Sequence, residues 1–86
     1  METLSDALRI IYNFIKNGNL ENALWEISEL EQHLRSKNAA LLDKYQLKTY
    51  FSNWRTRLLR ANSQGIRLII NDLELLIRKL ENISID

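Results

Sequence analysis

The hydrophobic residues of this chain recur every three or four positions and do not alternate with polar ones. This spacing places them on one face of an α-helix, whereas a half-buried strand needs a period of two. The chain also has no proline to interrupt a helix. The pattern therefore predicts an all-α protein with four helices separated by short polar breaks. The predicted helices span about residues 4–17, 20–36, 39–61 and 66–83.

The first two predicted helices are joined by a turn that contains one of the two glycines of the chain. Thr3 and Asp6 have the spacing of a capping box, which predicts the start of the first helix. Gly18 is predicted to end that helix, because glycine adopts the left-handed conformation without a Cβ clash. Asn19 is predicted to cap the second helix through its side chain. This turn is therefore interpreted as a structural corner.

The third and fourth predicted helices are the longer pair. The apolar stripe of the third consists of Leu47, Phe51, Trp54 and Leu58, and that of the fourth of Ile66, Ile69, Leu73, Leu76, Leu80 and Ile83. Gly65 is interpreted as the second helix-ending glycine. Because the connections are short, successive helices should be antiparallel. The expected architecture is a compact, up-down four-helix bundle with longer third and fourth helices.

Length and composition indicate one small domain that covers residues 1–86. A chain of this size buries roughly 60–65% of its unfolded surface, which is enough for one modest core. It has no cysteine, so it offers no disulfide, thiolate nucleophile or cysteine metal ligand. No basic region precedes an apolar N-terminal stretch, and no apolar run approaches the ~18 residues of a membrane span. We therefore expect a cytoplasmic protein without membrane contact.

Charge is distributed unevenly along the chain. Residues 1–36 carry six acidic and three basic side chains, a net charge of −3, and residues 37–86 carry five acidic and nine basic ones, a net charge of +4. An asymmetric surface of this kind favours head-to-tail contact with a like molecule or contact with another partner. The alternative is that the helices only exchange charges with one another in solvent.

Candidate catalytic and metal-binding residues are few. His33, the only histidine, is four residues from Glu29 and shares a helix face with it, but one histidine and one carboxylate are too few for a metal site. A surface imidazole beside a glutamate is the preferred interpretation. None of the serines lies in a nucleophile-elbow sequence, and two distant glycines cannot form a phosphate-binding loop. The sequence predicts a protein that is not an enzyme and needs no cofactor.

The most basic segment, W-R-T-R-L-L-R at residues 54–60, is the candidate for binding nucleic acid. Arg57 and Arg60 share one helix face, and Arg55 extends the charge. However, the sequence pI of about 8.1 lies below the range typical of nucleic-acid-binding domains, and no known motif is present. The alternative is that these arginines pair with acids of the second helix or of a partner.

Several apolar residues lie outside the predicted stripes. Leu68 and Leu75, seven residues apart, are in line on the side of the last helix opposite its stripe, and Trp25 lies off the stripe of the second helix. Aligned apolar residues of this kind can mark a contact surface. The equally weighted alternative is that the last helix is buried on all sides.

Two family resemblances follow from these segments. G-N-L-E-N-A-L, at residues 18–24, resembles one tetratricopeptide hairpin, but no 34-residue period repeats, which excludes a repeat array. Over about residues 6–83 the chain is similar to bacterial effector-associated domains of a small all-helical subtype. The matching segments are Ile15 to Leu24, Y-F-S-N-W-R-T-R-L at residues 50–58, and residues 69–83, where I-N-D-L-E-L-L begins at Ile70.

This resemblance implies an adaptor that brings a sensor and an effector together in a bacterial antiviral defence or signalling system, by association of like domains. The expected partner is a protein, with a homo-oligomer as one form. Alternatives are an immunity-type protein that masks a target, or a nucleic-acid-binding protein acting through the basic face of the third helix. The predicted partner-binding residues, chosen from charge and exposure, are Glu26, Glu29, Arg55, Arg57, Arg60, Leu68 and Leu75.

Overall fold

The computed structural model describes residues 2–85 and is all-helical, as predicted. Its helices are α1 (Leu4–Lys16), α2 (Leu20–Lys37), α3 (Ala40–Lys44), α4 (Leu47–Arg60) and α5 (Ser63–Lys79). Within the described residues no β-strand forms, and the β-type pairing there is a single bridge between Thr3 and Ser84. The all-α prediction is confirmed, but five helices replace the predicted four.

The predicted third helix is wrong as one continuous element, because it breaks between α3 and α4. Gln46 has a left-handed backbone, with φ of 56°, and precedes α4. In one straight helix, at 100° per residue, Leu41 and Leu42 would point more than about 100° away from the buried stripe of α4. The break lets both leucines enter the core, where they are buried.

The predicted order of helix lengths is also wrong. The longest helix is α2, with 18 residues, followed by α5 with 17, α4 with 14 and α1 with 13. Because α4 begins at Leu47 and not at residue 39, it lacks the first eight residues of the predicted third helix, and α5 begins three residues earlier and ends four residues earlier than predicted. The pair formed by α4 and α5 is therefore not longer than the pair formed by α1 and α2.

The start of α1 and the turn between α1 and α2 are formed largely as predicted. Thr3 and Asp6 make the capping box, and the hydrogen bonds from the amide and hydroxyl of Thr3 hold the pKa of Asp6 below its ordinary value of 3.8. Gly18 is left-handed, with φ of 79°. Asn19 occupies the cap position of α2, but its side chain makes no capping hydrogen bond, so that part of the prediction is wrong.

The second glycine has a different role from the predicted one. Gly65 lies inside the first turn of α5, and Ala61, with φ of 54°, is the left-handed residue that ends α4. Asn62 caps α5, and its Oδ1 accepts from the amide of Gly65 at 2.7 Å. A Cβ at position 65 would lie 3.1 Å from that oxygen and 3.4 Å from Cβ of Arg57, so a larger residue here would require the capping side chain of Asn62 to shift.

The four longer helices form a closed ring. Helix α1 packs against α2 and α5, α4 also packs against α2 and α5, and short α3 packs against α2 and α4. Consequently α2 and α5 lie on opposite sides of the ring. The core contains every residue of the predicted α4 stripe, with Phe51 and Trp54 as its largest fully buried side chains. The molecule measures 32 × 20 × 19 Å.

The segment after α5 runs back along the start of the chain as an extended strap, defined here as residues 83–85. The amide of Leu4 donates to the carbonyl of Ile83 at 2.7 Å, and the amide of Ile85 donates to that of Glu2 at 3.4 Å. The side chain of Ile85 is buried. Ile83, predicted to close the last helix, belongs instead to this strap.

Candidate interaction surfaces

The three arginines of α4 do not form one basic patch. Arg55 pairs with Glu31 of α2, and Nη1 of Arg57 lies 3.6 Å from Oδ2 of Asp72 in α5. The two arginines therefore lie on opposite flanks of α4, each next to a different neighbouring helix. Arg60, in the last turn, is exposed. The interpretation that these arginines pair with acids of the second helix is confirmed for Arg55, whereas the acid that pairs with Arg57 belongs to α5.

Asp72 links α4 to α5 through two interactions, and sequence reasoning missed it. Besides contacting Arg57, it accepts a hydrogen bond from Nε1 of Trp54 at 3.1 Å. Trp54 is fully buried, so its indole N–H needs an acceptor inside the protein. The sequence indicates that an acceptor is required, because Trp54 lies in the apolar stripe, but it does not show which residue of another helix supplies it.

Glu26 and Glu29 lie along an open groove between α1 and α2. The groove also contains Ile10 and Leu30, and Glu2 adds a third carboxylate. Glu29 is exposed and Glu26 is half-buried. The structure thus places the two predicted acidic residues beside apolar side chains on one side of the molecule.

His33 also lies in this groove, but it is half-buried rather than a surface side chain. Its Nε2 lies 3.2 Å from the carbonyl oxygen of Ile85, which can only accept, so Nε2 donates. The imidazole therefore joins α2 to the strap. Among residues 2–85, no three histidine or carboxylate side chains are grouped as a metal ion would require.

Among the residues that the structure describes, five large hydrophobic side chains are exposed. Their exposed fractions are 40% for Ile10, 61% for Trp25, 75% for Leu59, 43% for Leu68 and 60% for Leu75. The prediction that Leu68, Leu75 and Trp25 lie outside the buried stripes is confirmed, and the alternative that the last helix is buried on all sides is wrong. Ile10 and Leu59 were not singled out from the sequence.

Trp25 is the centre of an acidic face on α2. At 100° per residue it lies about 170° from the middle of the buried stripe of that helix. Glu21 and Glu29, one turn before and after Trp25, share its side of the helix, and Glu26 borders them. We define the acidic face as Glu21, Trp25, Glu26 and Glu29.

Leu68 and Leu75 belong to a basic face on α5. They lie about 110–130° from the middle of its buried stripe, and Arg67 and Arg78 lie farther round on the outward side. All four side chains are exposed. We define the basic face as Arg67, Leu68, Leu75 and Arg78. The exposed carboxylate of Glu74, which accepts from the hydroxyl of Tyr12, lies between the two arginines, so the net charge of this face is positive but reduced. Because α2 and α5 are on opposite sides of the ring, the acidic and basic faces belong to opposite sides of the molecule.

None of the helices of the described residues has the length and apolarity needed to cross a membrane. Comparison of the chain with models of known protein families, with curated proteins and with solved structures gives no match in any of the three. The similarity to effector-associated domains therefore stays a prediction.

Proposed function

We propose that this chain is a non-enzymatic protein–protein interaction module that associates with a like domain. The observation that carries the proposal is the pair of outward faces of opposite charge, each centred on exposed large hydrophobic residues. Exposed aromatic and leucine side chains contribute affinity when a partner covers them, and charges around them select the partner and steer its approach. In this proposal the longer helices act as an up-down antiparallel bundle that holds the two faces apart.

The biological role that we propose is that of an adaptor. By associating with a like domain on another protein, the module would bring a sensor and an effector together in a bacterial, cytoplasmic defence or signalling system. The support for this role is the resemblance of residues 15–24 and 50–58 to effector-associated domains. The surface chemistry supports the narrower part of the proposal, which is binding to a protein.

Nucleic-acid binding through α4 is the weaker alternative. Arg55 and Arg57 each face a carboxylate of the same molecule. A phosphate would have to compete with Glu31 and Asp72 for them, and the gain from neutralising a phosphate would be reduced. Arg60 alone of the three predicted arginines lies exposed at the end of the helix.

The proposal predicts self-association that weakens with salt. Average mass should be measured by light scattering against protein concentration, at about 0.1 M and about 1 M salt, where the Debye length falls from about 10 Å to about 3 Å. We expect mass to rise with concentration at the lower salt and to rise less at the higher one. A constant monomer mass at all concentrations would contradict association of like domains, and binding of duplex DNA in a parallel titration would favour the alternative.

A further inference from the structure

We infer that copies of this chain associate front to back, with the acidic face of one copy against the basic face of the next. The inference rests on the proposed self-association and specifies its geometry. Its partner is a second copy of this chain, bound through α2 on one molecule and α5 on the other.

Charge disfavours contact between identical faces. In a two-fold dimer formed by α2, Glu21 and Glu29 of one copy would approach the same carboxylates of the other. A two-fold dimer formed by α5 would likewise place one net-positive face against another, although Glu74 between Arg67 and Arg78 reduces the repulsion. Like charges placed together across an interface reduce affinity, whereas the acidic face against the basic face pairs opposite charges.

The spacing of the side chains also fits this pairing. At 1.5 Å per residue, Leu68 and Leu75 are about 10 Å apart along α5, and Trp25 is a single large side chain at the middle of the acidic face. Glu21 and Glu29 are about 12 Å apart along α2, and Arg67 and Arg78 are about 16 Å apart along α5. When the indole lies between the two leucines, each carboxylate is therefore within reach of one long arginine side chain.

The positions of the faces determine the form of the assembly. Because α2 and α5 lie on opposite sides of the ring, a copy bound through its acidic face still presents its basic face. Such heterologous contacts continue into a chain or close into a ring, whereas a two-fold contact stops at a dimer. Each contact involves one helix face per molecule, which places it among weak, transient interfaces.

Two variants that each lack one face test this arrangement. Trp25→Ser removes the centre of the acidic face and leaves the basic face intact. The double variant Leu68→Ser and Leu75→Ser removes the apolar centre of the basic face and leaves the acidic face intact. All three positions are exposed, so folding should be retained, which circular dichroism and thermal unfolding would verify. Leu59→Ser is the matched control, because Leu59 is exposed but lies on neither face.

Mass measurements on each variant and on their equimolar mixture distinguish the possible contacts. We expect the wild-type chain and the Leu59→Ser variant to form species larger than dimers. Each face variant alone should associate at least about 30-fold more weakly, as loss of a central tryptophan contact, or of the apolar area of two leucine side chains, predicts. The mixture should form a heterodimer and nothing larger, because one intact acidic face and one intact basic face remain.

The other outcomes overturn the inference in recognisable ways. A leucine double variant that dimerises by itself would indicate contact between two acidic faces, and a Trp25→Ser variant that does so would indicate contact between two basic faces. Either result leaves the proposed self-association standing. A mixture that stays monomeric also overturns the front-to-back contact. A wild-type chain that stays monomeric overturns the proposed self-association itself.

Discussion

At the scale of single residues, the backbone conformation at the helix ends is only partly predictable from the sequence. Among residues 2–85, a positive φ occurs at Gly18, Gln46 and Ala61. The first is predictable, because glycine beside asparagine is a common helix end. The conformations of Gln46 and Ala61 are not predictable. The left-handed region costs an L-residue about 1–2 kcal/mol, so such a residue occupies it only when the surrounding packing requires it.

We predict that Ala61→Gly stabilises the protein by about 0.5–1 kcal/mol. Glycine relieves the left-handed strain at this exposed position, and the greater freedom of the unfolded chain offsets part of the gain. The change would be measured by urea unfolding. Ala40→Gly is the control, because Ala40 is an exposed residue within α3, where glycine in place of alanine should only destabilise. Equal effects of the two substitutions would show that Ala61 is not strained.

At the scale of helices, each element is held to its neighbours by a small number of polar contacts in addition to the core. Glu31 of α2 accepts from Arg35 of its own helix and pairs with Arg55 of α4. Asp72 of α5 joins Trp54 and Arg57 of α4. These contacts lie on the two flanks of the buried stripe of α4, and they explain why its arginines are divided between two helices.

We predict that Asp72→Leu lowers the free energy of unfolding by about 1–3 kcal/mol, since the buried indole N–H of Trp54 then loses its acceptor. Asp72→Asn keeps an oxygen at this position and should cost less. Chemical unfolding of both variants would test the order. If the two substitutions are equally destabilising, the ion pair with Arg57 is the more important contact, and the indole hydrogen bond is not.

At the scale of the whole molecule, the strap joins the two ends of the described chain. Its backbone pairs with residues 2–4, the side chain of Ile85 enters the core, and His33 of α2 bonds the carbonyl of Ile85. Residues more than 50 positions apart are thereby held together. This closure also shapes one end of the groove in which Glu26 and Glu29 lie.

We predict that Ile85→Ala destabilises the fold by about 2 kcal/mol or more, because it removes a buried side chain while leaving the backbone bonds of the strap in place. Thermal and urea unfolding would measure the loss. Leu59→Ala is a suitable comparison, since Leu59 is largely exposed and its truncation should change stability by less than about 0.5 kcal/mol. A loss at Ile85 as small as that at Leu59 would show that the strap is not part of the cooperative fold.

The sequence by itself determined the helical class, most of the buried stripes, the first turn and the exposure of Trp25, Leu68 and Leu75. These features depend on periodicity and local backbone preference, which act over one or two helical turns. They are therefore encoded within short segments. The same local information placed Glu26 and Glu29 on one helix and Leu68 and Leu75 on another.

Only the tertiary structure decided the break before α4, the extended strap, the partners of Arg55 and Arg57, and the location of the two charged faces on opposite sides of the ring. Each depends on residues far apart in the chain. Gln46 adopts a left-handed backbone because burial of Leu41 and Leu42 stabilises the fold by more than a continuous helix would. The hydrophobic periodicity of one segment does not show which of these two contributions is larger. The side of the molecule that a face occupies is likewise a property of how α2 and α5 pack around α1 and α4.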